Sequence, residues 1–148
     1  MTRDNDPAIL AELDRLDEAV RKAPADDTEP QIALWQTVTE LDHWFFIQRG
    51  TPEDPRPYGV AFDHGPTICL YSCAARAAEA AESLGLVGEG EEAPLFGVPM
   101  PEAIDYVAAF GETGVTGVAL DHPQIGHYIP MENLNLLKTW SEGVPGDQ

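Results

Sequence analysis

Apolar positions along the chain change their period several times, and each change marks an element. Ile9, Leu13, Leu16 and Val20 recur at helical spacing, which predicts one amphipathic helix. Asp6-Pro7 gives it a cap residue and a first-turn proline, and the stripe ends near Lys22. Residues 23–29 carry Pro, Asp and Thr and read as a linker. Pro30 opens a second helix, with Ile32, Trp35 and Val38 on one face, ending near Leu41.

The pattern then turns extended. His43 to Gln48 predicts a strand, and its four consecutive apolar residues, Trp44 to Ile47, call for burial on both faces. Residues 50–57 hold three prolines and two acids, so an exposed loop is expected. Tyr58 to Asp63 and Thr67 to Tyr71 read as strands, joined as a hairpin by His64-Gly65-Pro66. Ser72 is placed as the cap of a third helix running from Cys73 to Leu84. Ala74, Ala77, Ala78, Ala81 and Leu84 form the face that small side chains let lie close to a sheet. Gly85 stops it, and an acidic, glycine-rich loop follows from Val87 to Ala93.

Leu95 to Val98 reads as a short strand. Pro101 starts a fourth helix with Ile104, Val107 and Ala108 inward and Gly111 near its end. Val115 to Leu120 and His127 to Ile129 are further strands, and Pro130 starts a last helix carrying Met131, Leu134 and Leu137. Helices and strands mix without strict βαβ alternation. The expected class is therefore α+β: a mixed β-sheet with helices packed against it and an N-terminal helical extension. The chain divides into a helix and linker over 1–29, a single domain over 30–140, and a flexible tail over 141–148.

Charge narrows the function more than the fold. The 148 residues hold 8 Lys+Arg against 26 Asp+Glu, a net charge of −18. Binding to a nucleic-acid backbone needs clustered cations that this chain lacks, and an anionic membrane surface is excluded for the same reason. No apolar run approaches the length of a membrane span, and the N-terminus lacks the apolar core of a signal peptide. A cytoplasmic location is the expectation. The acidity favours a protein partner that is basic, and a homo-oligomer is compatible with the sequence.

Chemistry-bearing residues are few. Val60-Ala61-Phe62-Asp63-His64-Gly65-Pro66-Thr67-Ile68 echoes Val118-Ala119-Leu120-Asp121-His122-Pro123-Gln124-Ile125. The plain reading is repeated turn chemistry, a strand followed by Asp and a proline turn. The sharper one joins Asp63, His64, Asp121 and His122, with His127 as a further member, into a metal site or an enzyme centre. Cys69 and Cys73 are too few for a disulfide scaffold and read as small core residues. Cys73 at a helix N-terminus would be a nucleophile only with an oriented base, for which His64, His122 and His127 are the choices. Trp140 is a core residue or a contact aromatic on a surface-docked last helix. No glycine pattern matches a dinucleotide or phosphate loop. No catalytic, cofactor-binding or metal-ligating residue is therefore assigned, and no cofactor is expected.

Four stretches resemble the SseB-like N-terminal domain family. His43-Trp44-Phe45-Phe46-Ile47 is similar to that family's first strand, and Asp63-His64-Gly65-Pro66-Thr67-Ile68-Cys69-Leu70-Tyr71-Ser72 to its hairpin strand leading into a helix. Pro101 to Phe110 is similar to the helix before its final strand. Gly117-Val118-Ala119-Leu120-Asp121-His122-Pro123 stands where its Asn-Pro ending would be. The likeness spans roughly residues 30 to 137 and leaves out the first helix. It implies an α+β fold and no catalytic residue or cofactor. The functional expectation is a non-catalytic interaction or regulatory module. An immunity or adaptor protein that neutralises a basic partner, and the metal or enzyme reading above, are the alternatives.

Overall fold

The computed structural model describes residues 7–24, 26–51, 53–62, 65–88, 90–100, 102–122 and 127–141. Five helices and seven strands follow in the order α1 (Pro7–Lys22), α2 (Glu29–Val38), β1 (His43–Thr51), β2 (Asp54–Pro57), β3 (Gly59–Phe62), β4 (Gly65–Leu70), α3 (Ala74–Ser83), β5 (Leu95–Pro99), α4 (Glu102–Ala108), β6 (Gly117–Leu120), β7 (His127–Pro130) and α5 (Leu134–Ser141). Short 3-10 turns follow α4 and precede α5. The fold is α+β.

Two sheets share the strands. The first is antiparallel, in the order β2-β1-β5; the second is mixed, in the order β3-β4-β6-β7, with β4 and β6 parallel. They are stitched together where Phe45 of β1 exchanges backbone hydrogen bonds of 3.0 and 2.8 Å with Tyr71, just past β4. Tyr58, between β2 and β3, adds a bond to Ile47 and one from Cys69.

Side chains alternate across this junction, and that alternation builds two cores. Trp44 and Phe46 of β1, Ile68 and Leu70 of β4, and Val118 and Leu120 of β6 face α1, α2, α4 and α5. Phe45 and Ile47, with Cys69 and Tyr71, face α3. The apolar run 44–47 is buried on both faces, as its composition predicts. α1 contributes Leu13 and Leu16 to the larger core.

Several boundaries differ from expectation. Residues 50–57 are not a loop throughout: β1 runs to Thr51 and pairs with β2 in the register Gln48↔Pro57 to Thr51↔Asp54. β2 is the outer strand of its sheet, and there a proline without an N–H is tolerated. α2 turns Leu34, Trp35 and Val38 inward and leaves Ile32 44% exposed, against its expected place on the inner face. α3 buries Ala77, Ala80 and Ala81, while Ala78 faces solvent. In α4, Ala103 is inward and Ala108 exposed. In the three helices the buried face is rotated towards the groups each packs against.

Gly117 needs to be glycine. A Cβ there would meet the Ile129 carbonyl oxygen and lie 2.6 Å from the Tyr128 ring, so β6 and β7 approach only because no side chain intervenes.

Candidate functional site

The N-cap position of α3 is Cys73, in extended conformation, and not Ser72. Ser72 meets Asp121, which follows β6, across the C-terminal ends of the parallel pair β4 and β6. The Ser72 amide donates to Asp121 Oδ1 at 2.8 Å and its hydroxyl to Oδ2 at 2.7 Å. Arg76, one turn into α3, donates from Nη1 to the same Oδ2 at 3.0 Å. Its Nη2 reaches back to both carboxylate oxygens of Asp14 on α1, at 2.7 and 2.8 Å. The result is a chain of charges, Asp121–Arg76–Asp14, running from the interior to the surface.

Asp121 is fully buried and has a φ of 50°, in the left-handed region that Asp and Asn tolerate better than other side chains. Burial pushes its carboxyl above the ordinary range, while Ser72 and Arg76 pull it back down. With three donors satisfied on two oxygens, the carboxylate is a structural clasp between β6 and α3.

The other sequence candidates go elsewhere. His122 packs edge-on against Phe62, ring centroids 5.3 Å apart, and partial burial lowers its pKa. His127 Nε2 meets Asp17 of α1 at 2.8 Å, and Asp17 also accepts from Arg21. Asp121, His122 and His127 thus have separate partners. Asp63 and His64 lie outside the described residues, as does the side chain of Trp140. Among the described residues no group of three or more His, Cys, Asp or Glu side chains is placed to hold a metal ion.

Cys69 and Cys73 are both buried core residues and form no disulfide. Burial pushes the Cys69 thiol from its ordinary 9.0 up to about 12, and raises its neighbours Tyr71 and Tyr58 as well. These groups fold best in their neutral forms. Their contribution is complete below the unfolded-state values and is lost as pH climbs past about 9 towards 12. Urea midpoints are therefore expected to be flat just below pH 9 and to fall steeply above it. Cys69→Ala should remove part of that fall. A slope that is unchanged in the variant would exclude the thiol as a contributor.

The groove that sequence reasoning missed lies between α2, β7 and α5. Ile32, Trp35, Ile129, Pro130 and Leu136 give it apolar walls, with Thr28, Gln31 and Asn133 at its polar margin; its volume is about 230 Å³. Ile32 and Leu136 are the large hydrophobic residues most exposed among those described, at 44% and 53%. Both line this groove. The Trp35 ring is 3% exposed and its Nε1–H is buried without an acceptor. Exposed acids stand beside the margin in sequence: Asp27 and Glu29 around Thr28, and Glu132 before Asn133. One signal was available beforehand. Leu136 falls off the Leu134–Leu137 stripe, so a helix with that stripe inward must present Leu136 outward.

A second depression of about 340 Å³ lies over β3 and β4, lined by Arg56, Thr67, Phe110, Thr113 and Val115 among others. Its one cation, Arg56, is exposed and leans on Asp54 at 3.3 Å, which gives it little to offer a ligand. No helix among the described residues is long and apolar enough to cross a membrane. No family model, curated protein or solved structure matches this chain.

Proposed function

We propose that this protein is a non-catalytic interaction module that receives apolar anchors of a basic partner in the groove between α2, β7 and α5. One observation carries the reading: the two most exposed large aliphatic side chains of the described surface, Ile32 and Leu136, line the same groove beside a buried tryptophan. A volume of about 230 Å³ suits one or two partner side chains; whole small-molecule ligands fill roughly 300–1,000 Å³. The net charge of −18, with acids beside the groove, favours a cationic partner and speeds its approach. The resemblance to the SseB-like N-terminal domain family belongs to this proposal and rests on the short stretches quoted above; it adds a fold and no active site.

The test is titration with a synthetic amphipathic helix, leucine on one face and lysine on the other, against the wild type and the Ile32→Asp and Leu136→Asp variants. Both positions are surface sites, so unfolding free energies should stay within about 0.5 kcal/mol. Affinity should drop at least roughly tenfold in either variant, and wild-type binding should weaken as salt shortens the screening length. Equal binding by wild type and both variants would remove the groove from the function.

A further inference from the structure

Among the described residues no strand pairs with the outer edge of β5, and its register shows which groups it presents. β5 pairs with β1 from His43↔Pro99 to Ile47↔Leu95. Phe45 spends both backbone groups on Tyr71, and the Ile47 carbonyl accepts from Tyr58. Both therefore face away from β5. At the flanks, Gln48 donates to the Pro94 carbonyl and Met100 to that of Asp42. In an antiparallel ladder such hydrogen-bonded pairs alternate with unbonded ones. Phe96 and Val98 are thus the β5 residues bonded to β1, and Leu95 and Gly97 point their N–H and C=O groups outward. No backbone partner for these outward groups occurs among the described residues. Pro94 and Pro99 bound the exposed stretch.

Beside this edge is a hollow of about 520 Å³, lined by Phe45, Ala74, Glu92 and β5 residues Leu95 to Gly97. Glu92 is the charged side chain on it, and Glu91 precedes it, exposed. Gly97 lets another backbone come close at the centre of the edge.

We infer that β5 is a strand-addition site that takes a short extended segment of a lysine- or arginine-bearing partner, through the outward backbone groups of Leu95 and Gly97. An open ladder edge is matched by an extended chain and by nothing helical. The flanking prolines restrict the added strand to a few residues. Acidic lining selects a cationic segment and opposes a second copy of this chain, whose own net charge is −18. The site is separate from the α2–β7–α5 groove and is tested separately.

The probe is a short synthetic peptide alternating lysine with valine, alongside its N-methylated counterpart and an acidic counterpart alternating glutamate with valine. Binding is followed by amide NMR of the full chain. Expected results are shifts and exchange protection at Leu95 and Gly97, and at least a roughly tenfold loss on N-methylation, which removes the peptide's donors. Glu92→Lys should weaken the lysine peptide without altering unfolding. Ile32→Asp should leave this binding unchanged, which separates failure here from failure of the groove. The inference is overturned by equal binding of the N-methylated peptide, by preference for the acidic peptide, by shifts confined to other surfaces, by β5-mediated dimers, or by no binding at low salt.

Discussion

Asp121→Ala is expected to cost about 3–5 kcal/mol of stability, the range for stripping one partner from a buried ion pair. The carboxylate is fully buried, and its removal takes an acceptor from the Ser72 amide, from the Ser72 hydroxyl and from Arg76 Nη1, which keeps Ser72 Oγ at 3.1 Å. Alanine would also have to hold the left-handed backbone that Asp121 holds now; that conformation costs an ordinary side chain roughly 1–2 kcal/mol. Asp121→Asn keeps one acceptor oxygen and a residue that accepts the left-handed region, so its loss should be smaller, about 1–3 kcal/mol. Asp14→Ala removes only the exposed end of the charge chain, where the Asp14 side chain is 57% accessible. Its loss should stay under about 1 kcal/mol. Urea unfolding of the three variants should give that order. A loss below about 1 kcal/mol for Asp121→Ala would mean that the clasp contributes little net stability.

The second large effect is expected at Leu13. Its side chain is fully buried in the core that also holds Trp44, Phe46 and Leu120. Leu13→Ala should therefore cost about 2–5 kcal/mol, as deletion of a buried leucine does in a packed interior. Unfolding should remain a single transition by both fluorescence and circular dichroism. A separate low-stability transition for helical signal, with the tryptophan signal unmoved, would make α1 an appended helix with its own equilibrium. Two polar tethers support the packed arrangement: Asp14 to Arg76 and Asp17 to His127.

Much of the architecture was legible locally. The stripe Ile9–Leu13–Leu16–Val20, the apolar run 44–47, the pairing of β3 with β4 and the alanines of α3 are each declared by the local sequence, although Gly65 and Pro66, expected in the turn, lie within β4. Where expectation failed, the deciding atoms were distant in sequence. Prolines at 55 and 57 argue for a loop until β1 supplies an antiparallel neighbour and makes β2 an outer strand. Ile32 belongs to the inner stripe by spacing, yet α2 is rotated so that Leu34 and Trp35 carry the packing. Ser72 has the chemistry of a cap, yet the cap position falls on Cys73, and the Ser72 amide and hydroxyl donate to Asp121, 49 residues away.

The candidate site divides the same way. Charge and composition by themselves set a net charge of −18, a field that acts at long range whatever the fold and on which the proposal of a cationic partner rests. The consecutive apolar run Trp44 to Ile47 likewise called for a strand buried on both faces. Tertiary structure alone decided that Ile32 and Leu136, far apart in the chain, share one groove, and that Asp121 closes on Ser72 and Arg76. The physical reason is range. Period, capping and turn preference act over a few residues, whereas burial and hydrogen-bond satisfaction are settled by whichever groups the packed chain brings within about 3–4 Å.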